Sequence, residues 1–169
     1  ILMNVKDVKL IEKKPKPKSL ADKWILSELS ELIDSATQNL DKYNLSAVGE
    51  KVYEFTWSKF ADWYVEIAKV EKDKDEILLY VLQSLLKLWH PFTPFVTEVI
   101  WKKFKTKNPL MVQEWPKGLK IKEKKAIKDF ELIKNLISAV RNLRAESNIP
   151  PAQKLNVIII ANKNKKLIE

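Results

Sequence analysis

The chain of 169 residues contains no cysteine, one histidine and two glycines. Without cysteine there is no disulfide, no thiolate metal site and no cysteine nucleophile. A single histidine excludes zinc sites built on a histidine pair. With only Gly49 and Gly118, no glycine-rich phosphate loop can form. Long hydrophobic runs are also missing. The longest, Ile77 to Leu82, falls far short of the roughly 18 residues of a membrane span. The opening Ile1-Leu2-Met3-Asn4-Val5-Lys6 lacks the charged-then-apolar order of a signal peptide. It lacks an initiator methionine too, so the chain reads as a piece of a longer protein, with a cytoplasmic home and no membrane partner.

What remains is a foldable chain with an excess of positive charge. Against 22 acidic residues stand 31 basic ones, a net charge of +9, and 46% of the residues are hydrophobic. That suffices to bury a core in one domain, or one domain and a fragment of a second. Of the basic residues only Arg141 and Arg144 are arginine. The lysine excess suits a nucleic-acid partner, and equally a merely solvated surface.

Periodicity predicts helices. Residues 1–18 end in Glu12-Lys13-Lys14-Pro15-Lys16-Pro17-Lys18, an extended linker. Ser19-Leu20-Ala21-Asp22 is a capping box. It opens a helix to about Lys42, with Leu20, Trp24, Leu29, Leu32, Ile33, Ala36 and Leu40 on one stripe. A second helix runs to about Val70, and Glu71–Asp75 reads as a solvated turn. A third spans Glu76 to Trp89 and is the most apolar. Thr93-Pro94 caps a fourth, to Phe104. After an aperiodic loop over 105–122, a fifth runs from about Glu123 to Ser147. Leu155–Ile160 is β-branched and reads as one strand of a truncated α/β module over 152–169. The predicted fold is mainly α, an antiparallel helical bundle over 19–151 with that short appendage.

The densest aromatic stretch is Tyr53-Glu54-Phe55-Thr56-Trp57-Ser58-Lys59-Phe60-Ala61-Asp62-Trp63-Tyr64. Tyr53, Trp57, Phe60 and Tyr64 share one helical side. They are either core or a stacking platform for unpaired bases, flanked by Lys51, Lys59 and Lys69 for phosphates. Asp62 either is buried and hydrogen-bonded, the favoured reading, or reads a base edge, and His90 is expected to cap or pack. No acid–base pair or metal cluster stands out. Arg141 and Arg144, one helical step apart, suggest a planar bidentate donor for RNA phosphate or for carboxylates such as Glu146. The lysines at 102, 103, 105 and 107, and those from 120 to 128, either track phosphates or are solvated faces.

Several strings together resemble the valyl-tRNA synthetase family, in the region after the catalytic core. They are Leu20-Ala21-Asp22-Lys23-Trp24-Ile25-Leu26-Ser27, the Tyr53–Tyr64 stretch, His90-Pro91-Phe92-Thr93-Pro94-Phe95-Val96-Thr97-Glu98, Met111-Val112-Gln113-Glu114-Trp115-Pro116, and Arg141 to Pro151. Ala61 stands where many relatives carry cysteine. The resemblance implies the domain that grips the anticodon stem-loop of tRNA(Val), monomeric and joined to catalytic and editing domains. ATP with magnesium then belongs to the full-length ligase. The His-Ile-Gly-His and Lys-Met-Ser-Lys-Ser signatures of the catalytic core are absent, which implies no catalytic residues, cofactor or metal in this piece. The candidate contacts are Lys51, Trp57, Lys59, Phe60, Tyr64, Lys69, Arg141 and Arg144. A bundle that only braces neighbouring domains, or the same domain of an isoleucyl-type relative, is the alternative.

Overall fold

The computed structural model describes residues 7–119, 123–150, 153–154 and 156–159. The fold is mainly α, in two compact units, the first ending at Glu123 and the second beginning at Lys124.

In the first unit, α1 spans Leu20–Asp41. Its capping box forms as the sequence predicts. Asp22 N–H donates to Ser19 Oγ at 3.3 Å, and the Asp22 carboxylate accepts from the Ser19 N–H at 3.0 Å. Next come α2 (Leu45–Glu54), a π-helical segment (Phe55–Val65) and α3 (Glu66–Val70), joined without a break. Polar contacts fix the direction of this rod. Asp22 meets Tyr64, Glu28 meets Lys59 and Ser35 meets Lys51. As numbers rise along α1 they fall along its neighbour, so the two run antiparallel.

The π-helix departs from the expected period for a clear reason. The buried positions Val48, Val52 and Phe55 step by four and three, the core face of an α-helix. Continued at that spacing, the face reaches Lys59, Asp62 and Glu66, three charged side chains. The buried residues are Phe60 and Tyr64 instead. The five-residue step from Phe55 to Phe60 is what an i→i+5 turn supplies. Asp62, expected inside, is therefore exposed, and Trp63 is only partly buried.

Helix α4 (Asp75–Trp89) buries Ile77, Leu78, Val81, Leu85 and Leu88. It packs on α1, α2 and α5 (Pro94–Trp101). Thr93 precedes Pro94 as expected, but its hydroxyl turns back to the Trp89 carbonyl at 3.3 Å instead of capping α5. Short 3₁₀ turns follow at Lys102–Phe104 and Leu110–Val112.

Residues 7–18 are extended, yet they are not a free tether. Ile11 exchanges two hydrogen bonds with the Gln83 amide, at 3.0 and 2.7 Å. Val8, Leu10 and Ile11 pack against Leu79, Leu86, Trp101, Phe104 and Leu110. The loop before Glu123 is tied to α1. Trp115 Nε1 donates to Thr37 at 2.9 Å, and the Leu119 N–H to Ser30 at 2.9 Å.

The second unit holds α6 (Lys124–Glu146), which buries Ala126 and Phe130. Asn148 ends it in the left-handed conformation at φ 52°, and the Ile149 N–H returns to the Arg144 carbonyl at 2.9 Å. The expected strand at Leu155–Ile160 does not form over Asn156–Ile159, where Val157, Ile158 and Ile159 are exposed. A strand needs a neighbour to pair with, and there is no strand among the described residues. Leu155, Ile160 and most of the 152–169 appendage lie outside the described residues.

Candidate nucleic-acid interface

Where α1 meets the 45–70 rod, a cavity of about 260 Å³ is lined by Glu28, Glu31, Ser35, Lys51, Glu54 and Lys59, among others. Lys51 reaches Ser35 Oγ at 2.6 Å and makes no ion pair among the described residues, although Glu28, Glu31 and Glu54 line the same cavity. Lys59 differs. Its ammonium lies 2.5 Å from Glu28 Oε2, and the Glu28 side chain is only 10% exposed. Lys69 pairs with Glu66 at 2.6 Å on the open surface.

The aromatic candidates separate. Phe60 and Tyr64 are buried and stacked on each other, centroids 6.5 Å apart at 18°. They present no face for a base in this structure. Trp57 is 53% exposed and Tyr53 59%, with ring centroids 6.2 Å apart. Trp57 and Tyr53 thus keep ring surface open to solvent, whereas Phe60 and Tyr64 do not.

Tyr64 belongs to a buried ionic network that sequence reasoning missed. Its hydroxyl donates to Asp22 Oδ1 at 2.8 Å, and Lys74 reaches the same oxygen at 2.8 Å. Lys74 also bonds Ser19 Oγ at 2.8 Å and Glu71 at 2.7 Å. Burial pushes the Asp22 carboxyl up, but Lys74, Tyr64 and the backbone N–H groups of Lys18 and Ser19 together hold it below its ordinary value. Burial, and then Asp22, pushes the Tyr64 phenol up. The charged run at 71–75 looked uniformly solvated because its alternating signs carry no period. Lys74 nevertheless points inward, at 5% exposure.

The arginines belong to the second unit. Arg144 Nη2 donates to the carbonyls of Pro150 and Gln153, at 2.6 and 2.8 Å, and so braces the chain leaving α6. Arg141 is exposed on α6. His90 Nδ1 lies 2.8 Å from Thr97 Oγ1, the packing role expected of it. Lys102, Lys103, Lys105 and Lys107 are all exposed, and no ion pair to any of them occurs among the described residues.

Residues 22–159 match the family described as the anticodon-binding domain of tRNA ligase. The chain belongs to this family. Within it, the chain is similar to the valine–tRNA ligase of Bacillus anthracis, 38% identical over all of this chain and 20% of the relative. The valine–tRNA ligase of Bacillus licheniformis is 40% identical over 84% of the chain and 17% of the relative. That of Carboxydothermus hydrogenoformans is 38% identical over 95% and 19%. The chain thus spans about a fifth of the length of the curated relatives it matches. The anticodon-binding domain match begins at Asp22, the centre of the buried ionic network, and takes in α6 beyond the first compact unit.

Proposed function

We propose that this chain is the part of a valine–tRNA ligase that binds the anticodon stem-loop of tRNA(Val). It positions the tRNA while a catalytic core elsewhere in the longer protein joins valine to the acceptor end, using ATP with magnesium. The observation that carries the reading is the family match over residues 22–159, with relatives named valine–tRNA ligase along the whole chain. The physics is compatible with it. A net charge of +9 supplies the sequence-independent attraction to a polyanion. Trp57 and Lys51 offer a ring and a cation for a loop nucleotide, and stacking contributes about 1–3 kcal/mol per base. A rigid helical unit holds one end of the tRNA and so lowers the entropic cost of engaging the other.

The test is a titration of the chain with a labelled valine anticodon stem-loop, at low and moderate salt, against an isoleucine stem-loop. Salt-dependent binding with a preference for the valine loop is expected. Binding indifferent to both salt and anticodon sequence overturns the reading. If Lys51→Glu and Trp57→Ala leave the affinity unchanged, a bundle that only braces its neighbours explains the molecule better.

A further inference from the structure

Four lysines fall within the six residues Lys102–Lys107, interrupted only by Phe104 and Thr106. The turn that carries them is anchored from beneath. Phe104 is buried at 3% exposure and packs at a tilt of 37° against the buried Trp101, centroids 5.6 Å apart. The Trp101 indole N–H donates to the Asn108 carbonyl at 3.2 Å, which clamps the far end of the turn. The Asn108 N–H in turn donates to Thr106 Oγ1 at 3.3 Å, and the Lys105 N–H to the Lys102 carbonyl at 3.2 Å. Lys105 itself sits in the left-handed region at φ 55°, where a side chain with a Cβ is disfavoured and which recurs at functional sites.

These four lysines differ from three of those considered above. Lys59, Lys69 and Lys74 each face a carboxylate, whereas Lys102, Lys103, Lys105 and Lys107 have none among the described residues. Lys102 and Lys103 follow the last turn of α5, where a cation suits the helix dipole. Lys105 and Lys107 lie beyond it, so the dipole does not account for them. Like charges this close repel one another, and an anchored backbone prevents them from spreading freely. A multivalent anion relieves that repulsion and releases counterions when it binds.

We propose that the Lys102–Lys107 turn is a preformed seat for the ribose-phosphate backbone of RNA, reading charge and not sequence. The proposal rests on the tRNA-binding function above and adds a second contact surface, separate from the groove between α1 and the 45–70 rod. The experiment measures stem-loop affinity over a salt series for the parent, for Lys51→Gln, and for the combined Lys102→Gln, Lys103→Gln, Lys105→Gln and Lys107→Gln variant. The four positions are exposed, so the fold and melting temperature are expected to survive. Each phosphate contact contributes about 0.7–0.9 to the slope of log K against log salt. The combined variant is expected to bind at least tenfold more weakly at low salt, with a slope shallower by about 2–3, and to keep the preference for the valine loop. A parent slope and affinity retained in the combined variant overturn this inference and leave the tRNA-binding reading intact. A parent that binds no stem-loop overturns both.

Discussion

Replacing Lys74 by alanine probes the buried network at its centre. Lys74 is 5% exposed and Asp22 1%, and Lys74 is the cation that faces the Asp22 carboxylate, at 2.8 Å. Removing one member of a buried ion pair costs about 3–5 kcal/mol, because a desolvated charge is left behind. Asp22 would keep three donors, the Tyr64 hydroxyl and the N–H groups of Lys18 and Ser19. The lower end, about 3 kcal/mol, is therefore expected. Against a domain stability of about 5–15 kcal/mol, that is a large fraction. Urea unfolding followed by far-UV circular dichroism measures it, with Lys69→Ala as control. The Lys69–Glu66 pair is exposed on both sides, so its loss should cost no more than about 0.5 kcal/mol. A Lys74→Ala chain within about 1 kcal/mol of the parent refutes the reasoning, since the measured worth would then be that of an ordinary surface pair.

Further predictions follow from the same structure. The folded Asp22 carboxyl lies below its ordinary 3.8, so its contribution is fully present above that value and lost as pH falls through the folded one. Lys74 is raised by Asp22 and Glu71 against the pull of burial, so its share is lost only as pH rises past the ordinary 10.5. Asp22→Asn should therefore flatten the acid limb of a melting-temperature-against-pH profile; an acid limb identical to the parent's counts against the assignment. Trp101→Ala, at a 1% exposed site, should cost about 3–5 kcal/mol in the same urea assay. Gln83→Ala removes both bonds to Ile11 and should release residues 7–18, seen as faster hydrogen exchange at the Ile11 amide with the α1 amides unchanged. Deleting the exposed Ser58 returns Val48, Val52, Phe55, Phe60 and Tyr64 to steps of four, three, four and four. The rod should then fold as a continuous α-helix with its melting point retained; a collapse of the melting point would mean that the π-helical turn is itself required for packing.

The proposed RNA contacts use side chains that the fold leaves open, the Trp57 ring and lysines without an ion pair among the described residues. Lys51 and the lysines of the Lys102–Lys107 turn make no ion pair among the described residues, while Lys59 lies against Glu28. Sequence reasoning treated Lys51 and Lys59 alike, because a lysine's spacing does not reveal whether a carboxylate from another helix reaches it. Phe60 and Tyr64 were grouped with Trp57 by a 3.6-residue period that the π-helical turn interrupts.

The order of the helices, the Ser19–Asp22 capping box and the stop at Asn148 were determined by the sequence alone. Each depends on contacts within a few residues, where apolar spacing and cap chemistry act directly. Tertiary structure decided which charges are buried, where the rod changes register, and that residues 7–18 lie against α4. Those outcomes depend on partners up to 72 positions away. A local pattern sets which side of a helix is apolar; the free energy of burying Lys74 or Phe60 exists only once another helix is there to meet it.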